Sequence, residues 1–423
     1  MKDVTRVHLI ALLSFGLLYG APAAKADQSI FDVITNGKVY IDERYRFEYV
    51  DQENIAETAR ASTLRNRLGF KSAPWRGFMF LVEVENVVNI GDDRFNNTIN
   101  GKTQFPVVAD VESIEMNQLF FGYSNIPQTN LKVGRQVIVF DNHRFIGHVG
   151  WRQNNQTFDA AWVQNKSIPG LTLTYAYIDR VNRIFGNKSR NGNIDTETYA
   201  IHGAFKFDGF GTLKGYSYLI DNETQFNGAD SATYGVSFAG KQSVGHGYSL
   251  LYHAEYAQQE DYADRAASFN ADYYHLVAGV SKSGLTAKVG YEVLGTDNGV
   301  GFFTPLSTVH IFNGFADQFI LGTPVNGLED LYVDVTYKVK DMPASMAFLN
   351  GLLLKAQYHE FSSEIGSVDF GQEFDFYAKM PLSRGFYVEG KYANYQAEAG
   401  NGLAAGRGGV DVEKFTLGVG WKY

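Results

Sequence analysis

Residues 40–50 read YIDERYRFEYV. One set of alternate positions carries Ile41, Tyr45, Phe47 and Tyr49, and the other carries Asp42, Arg44, Arg46 and Glu48. A period of two with one apolar and one polar face is that of a β-strand. Its length is that of a tilted strand crossing a bilayer, about 9–11 residues. The next segment, near 59–71, sets Leu64, Leu68 and Phe70 against Thr63, Arg65 and Arg67. The third, 78–88, sets Phe78, Phe80, Val82 and Val84 against Glu83 and Glu85.

The same alternation continues near 113–123, 130–139, 156–164, 171–180, 197–207, 212–221, 231–239, 248–258, 272–281, 285–295, 329–340, 351–360, 370–380, 385–395 and 413–423. The connections form a second pattern. Those after even-numbered strands are short, such as Ser72–Trp75, Asp208–Gly211, Gly240–Gly247 and Pro381–Arg384, with Val339–Asn350 longer. Those after odd-numbered strands are long and polar: Asn89–Glu112, Phe140–Asn155, Val181–Thr196, Gln259–Ala271, Thr296–Leu328 and Gln396–Val412. This parity predicts an all-β fold: a single transmembrane antiparallel β-barrel of about 18 strands, with long extracellular loops and short periplasmic turns. In the last strand Phe415, Leu417, Val419, Trp421 and Tyr423 share one face. That face needs lipid or closure onto the first strand to cover it.

Composition agrees. The chain has 26 Tyr, 32 Phe and 44 Gly but only 9 Pro and no Cys, and no mature segment has the roughly 18 consecutive apolar residues of a membrane-spanning helix. Residues 1–26 read as a secretory signal peptide: Lys2 and Arg6, an apolar run from Leu9 to Ala21, and the small-x-small site Ala24-Lys25-Ala26. Residues 27–38 are then a short periplasmic leader, and 39–423 the barrel. The formal charge of −9 becomes more negative when Lys2, Arg6 and Lys25 leave with Asp3, which argues against a nucleic-acid partner. The expected location is the outer membrane of a Gram-negative envelope. The expected partners are outer-membrane lipid and lipopolysaccharide, the barrel-assembly machinery through the strand ending at Tyr423, and a solute in the pore. The sequence leaves the oligomeric state and the direction of transport open.

Leu131–Val163 reads LKVGRQVIVFDNHRFIGHVGWRQNNQTFDAAWV. Its ends are strands, and Asp141–Asn155 is expected as an external loop. VGRQ, then DNHR, then GWRQNNQTFDA, together with FNGFADQFILGTPVNGLEDLYVDVTYK at Phe312–Lys338, resembles the alginate export family of outer-membrane barrels. The resemblance implies an 18-stranded channel whose arginine-lined constriction passes a uronate polyanion. It places Arg44, Arg46, Arg65, Arg67, Arg135 and Arg152 in the pore lining, and strand alternation adds Glu83 and Glu85 to that lining. Strict alternation puts Arg135 with Leu131 and Val133 instead. The turn Pro381–Arg384 is too short to be the long occluding periplasmic loop of the family's exporter. Glu48, Asp334 and Glu373 also fall on inner faces, so a smaller or less charged solute stands beside alginate.

A barrel this wide keeps an aqueous lumen unless loops enter it. Asn89–Glu112 and the Phe-rich Thr296–Leu328 are long enough to do so, and the second is expected to pack inward. Trp75, Trp151, Trp162 and Trp421 are expected at the membrane interfaces. There is no HExxH, GxSxG elbow or phosphate-binding glycine loop, so no catalytic residue, metal or cofactor is expected. The reading is a passive selective porin for a uronate polysaccharide or oligosaccharide or an organic acid, not an enzyme. The alternatives are an outer-membrane lipase or deacylase, or a loop-plugged structural or adhesion barrel.

Overall fold

The computed structural model describes residues 29–223, 229–404 and 406–423. The expected signal peptide lies outside the described residues. A short helix, α1 (Ile30–Thr35), is capped by the Ser29 hydroxyl and Asp32. It leans on the first periplasmic turn, where Ala73 N–H donates to Val33 O at 3.0 Å.

The strands are β1 (Lys38–Gln52), β2 (Ala59–Lys71), β3 (Phe78–Arg94), β4 (Ser113–Ile126), β5 (Thr129–Gln136), β6 (Thr157–Asn165), β7 (Leu171–Asn182), β8 (Asn193–Phe207), β9 (Gly211–Ile220), β10 (Ser231–Gly245), β11 (Tyr248–Glu260), β12 (Asn270–Lys282), β13 (Leu285–Leu294), β14 (Thr296–Asp297), β15 (Val300–Gly301), β16 (Leu328–Lys338), β17 (Leu353–Ser362), β18 (Asp369–Pro381), β19 (Phe386–Ala397) and β20 (Val412–Lys422). The two-residue strands β14 and β15 form a hairpin in a loop; the others make one 18-stranded antiparallel sheet. β20 pairs with β1 from Asp42↔Lys422 to Gln52↔Val412, which closes the barrel and leaves no edge.

Alternation decides the faces. Leu68, Phe121, Val133, Leu276, Val289 and Phe374 stand exposed on the outer surface as a lipid-facing band. The expected parity of long and short connections holds. The turn expected at Gly240–Gly247 is tighter, because β10 runs on to Gly245 and β11 starts at Tyr248.

Two expectations fail at Leu131–Val163. β5 stops at Gln136, whose side-chain amide donates to Gly134 O and Ala160 O. The chain then turns into the lumen, so Asp141–Asn155 is not an external loop. Its buried Arg144, Arg152, Gln153 and Asn154 find inside the barrel the charged and polar partners that a buried polar group requires. Trp151 and Trp162 are not interface residues either. Trp151 rides on this inward loop, and Trp162 faces inward by strand parity, with the Lys132 ammonium 4.9 Å over its ring.

The hydrophobic core lies inside the outer half of the barrel. Wall residues Phe158, Ile178, Tyr218, Tyr273, Phe361 and Tyr395 pack against loop residues Phe140, Ile146, Phe302, Leu306, Phe315 and Phe319. Burying each of the larger side chains contributes about 1.5–3 kcal/mol. That burial offsets part of the ordering entropy of the two inward loops, and the loops' hydrogen bonds and ion pairs add to it.

Candidate functional site

The first inward loop, residues 137–156, is latched to the wall made by β1–β3. Arg44 Nε donates to Gln153 Oε1 at 3.0 Å and Nη1 to Gly150 O at 3.1 Å, and Nη2 reaches Arg152 O. Arg46 donates to Trp151 O and pairs with Asp110. Arg152 lies 3.0 Å from Glu48, and Glu48 lies 3.4 Å from Arg46. Gln153 returns bonds to Arg44 O and Thr63 O, both at 3.2 Å. Asn155 N–H donates to Glu85 Oε1 at 3.2 Å. Burial works against the Asp110 carboxylate, but Arg46 and Arg152 hold it below the usual carboxylate range.

The second inward loop follows β15. Asn313 Nδ2 donates to Glu292 at 2.8 Å and Asp330 at 3.0 Å. Phe315 N–H donates to Asp375 at 3.0 Å and Ala316 N–H to Glu373 at 2.6 Å. His310 Nδ1 is 2.8 Å from Asp317, and Lys391 Nζ is 2.8 Å from His310 Nε2. An ammonium can only donate, so Nε2 accepts and Nδ1–H donates to Asp317. That tautomer suits a neutral ring: burial, then Lys391, pushes the His310 imidazole down to about 3.

The loops also hold each other. Gly147 N–H donates to Leu306 O at 2.9 Å, Thr308 N–H to His143 O at 3.0 Å and Val149 N–H to Thr308 Oγ1 at 3.0 Å. A Cβ at Gly147 would run into Thr308 Oγ1, so the approach needs glycine there. Arg144 bridges the pair, 2.8 Å from Glu292 and 3.0 Å from Asn313 Oδ1.

Above this double plug is a cavity of about 410 Å³; below it is one of about 870 Å³, and Phe312 and Asn313 line both. A third, of about 510 Å³, shares Lys288, Ile311, Asp334 and Lys355 with the second. It also carries Arg44, Arg46, Lys379, Lys391 and Lys422, and its acidic groups are Asp334 and Glu389. Its wall is strongly basic, whereas the larger cavity mixes both signs.

Seven of the eight residues picked out in the sequence gather on the lumen side. Arg44 and Arg46 line the basic cavity. Arg65 pairs with Asp42 at 2.6 Å, and Arg67 pairs with Glu85. Glu83 accepts from Tyr40 at 2.8 Å and Asn117 at 2.5 Å. Arg152 is in the latch. Arg135 stands apart: it faces outward with Val133, half-buried, 2.7 Å from Asp159. Sequence reading missed Asp110, His310, Asp317 and Lys391. Lys391 alternates in phase with Glu389 along β19, and that was the one signal available for it.

Comparison with known proteins gives a family and a fold. The family described as alginate export matches residues 38–281. No curated protein matches the chain. Among solved structures, OccAB3 of Acinetobacter baumannii is 14% identical with a TM-score of 0.71, covering 92% of this chain and 100% of that one. OccK9 (OpdG) of Pseudomonas aeruginosa is 15% identical with a TM-score of 0.70, covering 92% and 99%. OpdL of Pseudomonas aeruginosa is 16% identical with a TM-score of 0.65, covering 92% and 99%.

Proposed function

Because the chain belongs to the alginate export family and is a bacterial outer-membrane β-barrel, we propose that it is a passive selective porin for carboxylate-bearing anions. The solute class is uronate oligosaccharides or organic acids. The observation that carries this is the basic cavity beneath the plug, where seven Lys and Arg side chains face two carboxylates. Guanidinium and ammonium groups bind carboxylates through charge-assisted hydrogen bonds. A wall of one sign also raises the local concentration of the opposite ion.

Solute crosses between the upper and lower cavities at Phe312 and Asn313, where Arg144 is the nearest cation. In this reading Arg44 and Arg46 line the path. Arg65, Arg67, Arg152, Glu83 and Glu85 hold the plug and the wall beneath it, and Arg135 serves the outer rim. The cavities suit a short uronate or a small acid better than an extended polymer. Residues 1–26 serve as the secretory signal, 27–38 as a periplasmic leader, and the strand ending at Tyr423 as the segment that the barrel-assembly machinery takes up.

The test is the reversal potential of the refolded barrel in a planar bilayer across a KCl gradient, followed by titration with uronate oligomers. Anion selectivity and block of the current by uronates are expected. Cation selectivity overturns the reading, and an electrically silent barrel points to a structural plug.

A further inference from the structure

The larger cavity has a feature that anion conduction does not use. His253 and Glu255 alternate on β11, and His275 lies on β12 directly across from Glu255. All three point inward, and each offers a ligand atom within 4.8 Å of the others. His253 Nε2 is 3.2 Å from Glu255 Oε2. Two ligands each about 2.0–2.2 Å from one tetrahedral ion sit roughly 3.4 Å apart, close to that span.

The surroundings are arranged as a metal's outer shell. Tyr216 Oη donates to Glu255 Oε1 at 2.8 Å, which leaves Oε2 turned to His253. His275 is 93% buried, and its Nε2 is 2.9 Å from Tyr332 Oη. Its Nδ1 is buried and has no hydrogen-bond partner among the described residues. A ring nitrogen tied to a second group, with the other nitrogen left as an open lone pair, is the usual state of a ligating histidine. A hydrogen-bonded His253–Glu255 pair alone does not account for the buried, unpartnered Nδ1 of His275 across the ladder from Glu255.

We propose that His253, Glu255 and His275 form a binding site for a divalent transition metal in the lumen wall. Two imidazoles and one carboxylate suit Zn²⁺, Cu²⁺, Ni²⁺ or Co²⁺ and discriminate against the all-oxygen preference of Mg²⁺ and Ca²⁺. Three protein ligands leave a coordination position open to the cavity for water or a solute carboxylate. The site stands on its own geometry, whatever solute the channel passes.

The refolded full chain, freed of metal by chelation, is titrated with Zn²⁺ by calorimetry and with Co²⁺ by visible absorption. One equivalent is expected to bind, with the intense d–d bands of low-coordinate Co²⁺. His253→Ala and His275→Ala are expected to weaken binding ~100-fold or more, and Tyr216→Phe ~10-fold through the outer shell. Glu255→Gln keeps the shape of the side chain and reports on the site if a histidine variant fails to refold. His359→Ala, a lumen histidine outside the set, keeps wild-type binding. Absence of Zn²⁺ and Co²⁺ binding by the wild-type barrel overturns the proposal, as does binding that survives His275→Ala or Glu255→Gln unchanged.

Discussion

Trp151 of the first inward loop stacks on His310 of the second, with ring centroids 3.4 Å apart and planes 15° from parallel. The Arg152 guanidinium lies 3.9 Å over the same indole. The pair adds to the backbone bonds and the Arg144 bridge between two loops that are fixed to different stretches of the wall, β1–β3 and β13–β19. An aromatic pair is worth about 0.5–1.5 kcal/mol beyond its buried area, and a desolvated cation–π contact adds about as much. Trp151→Ala is therefore expected to shift the plug toward an undocked state about tenfold or more, at about 1.4 kcal/mol per decade. Larger single-channel conductance with an unchanged melting temperature of the barrel is the expected result. Wild-type conductance would mean that the loops do not gate the path.

Acid is expected to loosen the same joint. Burial, then Lys391, holds the docked His310 down to about 3, whereas an undocked imidazole titrates near 6.5. Between those values the undocked state binds more protons. Docking is thus at full strength above about pH 6.5 and weakens as pH falls toward 3. The other groups around His310 are Asp317, Lys391, Lys414 and Arg152. Burial works against the Asp317 carboxylate, but Lys414 and His310 hold it well below the usual range, so it stays charged over this window. His148, pushed down to about 4 by burial, acts in the same direction. Conductance measured from pH 7.5 to 4.5 should rise, and His310→Gln should flatten most of the rise.

The barrel was legible in the sequence because lipid on one side and water on the other impose a period of two on every strand. Tyr40–Val50 shows that period directly, and short turns show which end of each hairpin faces the periplasm. The fate of Asp141–Asn155 was not legible. Its partners lie far along the chain: Gln153 bonds Arg44, 109 residues away, and Arg144 bonds Asn313, 169 residues away. Its polar residues read equally well as groups awaiting water or as groups awaiting Arg44 and Glu48. The arginines of β1 and β2 were placed on the right face, yet alternation cannot tell a free lumen cation from one held by a loop. His253 and Glu255 visibly share a face, but their link to His275 depends on the register of β11 against β12.

Reversing one charge in the basic cavity tests what sets its selectivity. Lys379 lines that cavity, 3.4 Å from Glu389, and is more than a third exposed. Its exposed pairing is worth only about 0–1 kcal/mol, so Lys379→Glu should fold normally. The anion-to-cation permeability ratio should fall severalfold, and uronate block should weaken with it. An unmoved reversal potential would place the selectivity elsewhere, at Arg144 and the Phe312–Asn313 passage.

Glu48 and Arg135 separate a latch from a rim contact. Glu48 is buried between Arg152 at 3.0 Å and Arg46 at 3.4 Å. Glu48→Gln leaves Arg46 with Asp110, and Arg152 with Asp110 at 3.9 Å and Asp317 at 3.8 Å. Removing one partner of a buried pair costs about 3–5 kcal/mol, and here the cost falls on docking of the plug. Arg135 meets Asp159 on the outward face with both side chains partly exposed, a contact worth about 0–1 kcal/mol. In bilayer recordings Glu48→Gln should give frequent high-conductance bursts, while Arg135→Gln should match the wild type in conductance and selectivity. If instead Arg135→Gln changed the current and Glu48→Gln did not, the Glu48 pairs would not be what holds the plug docked.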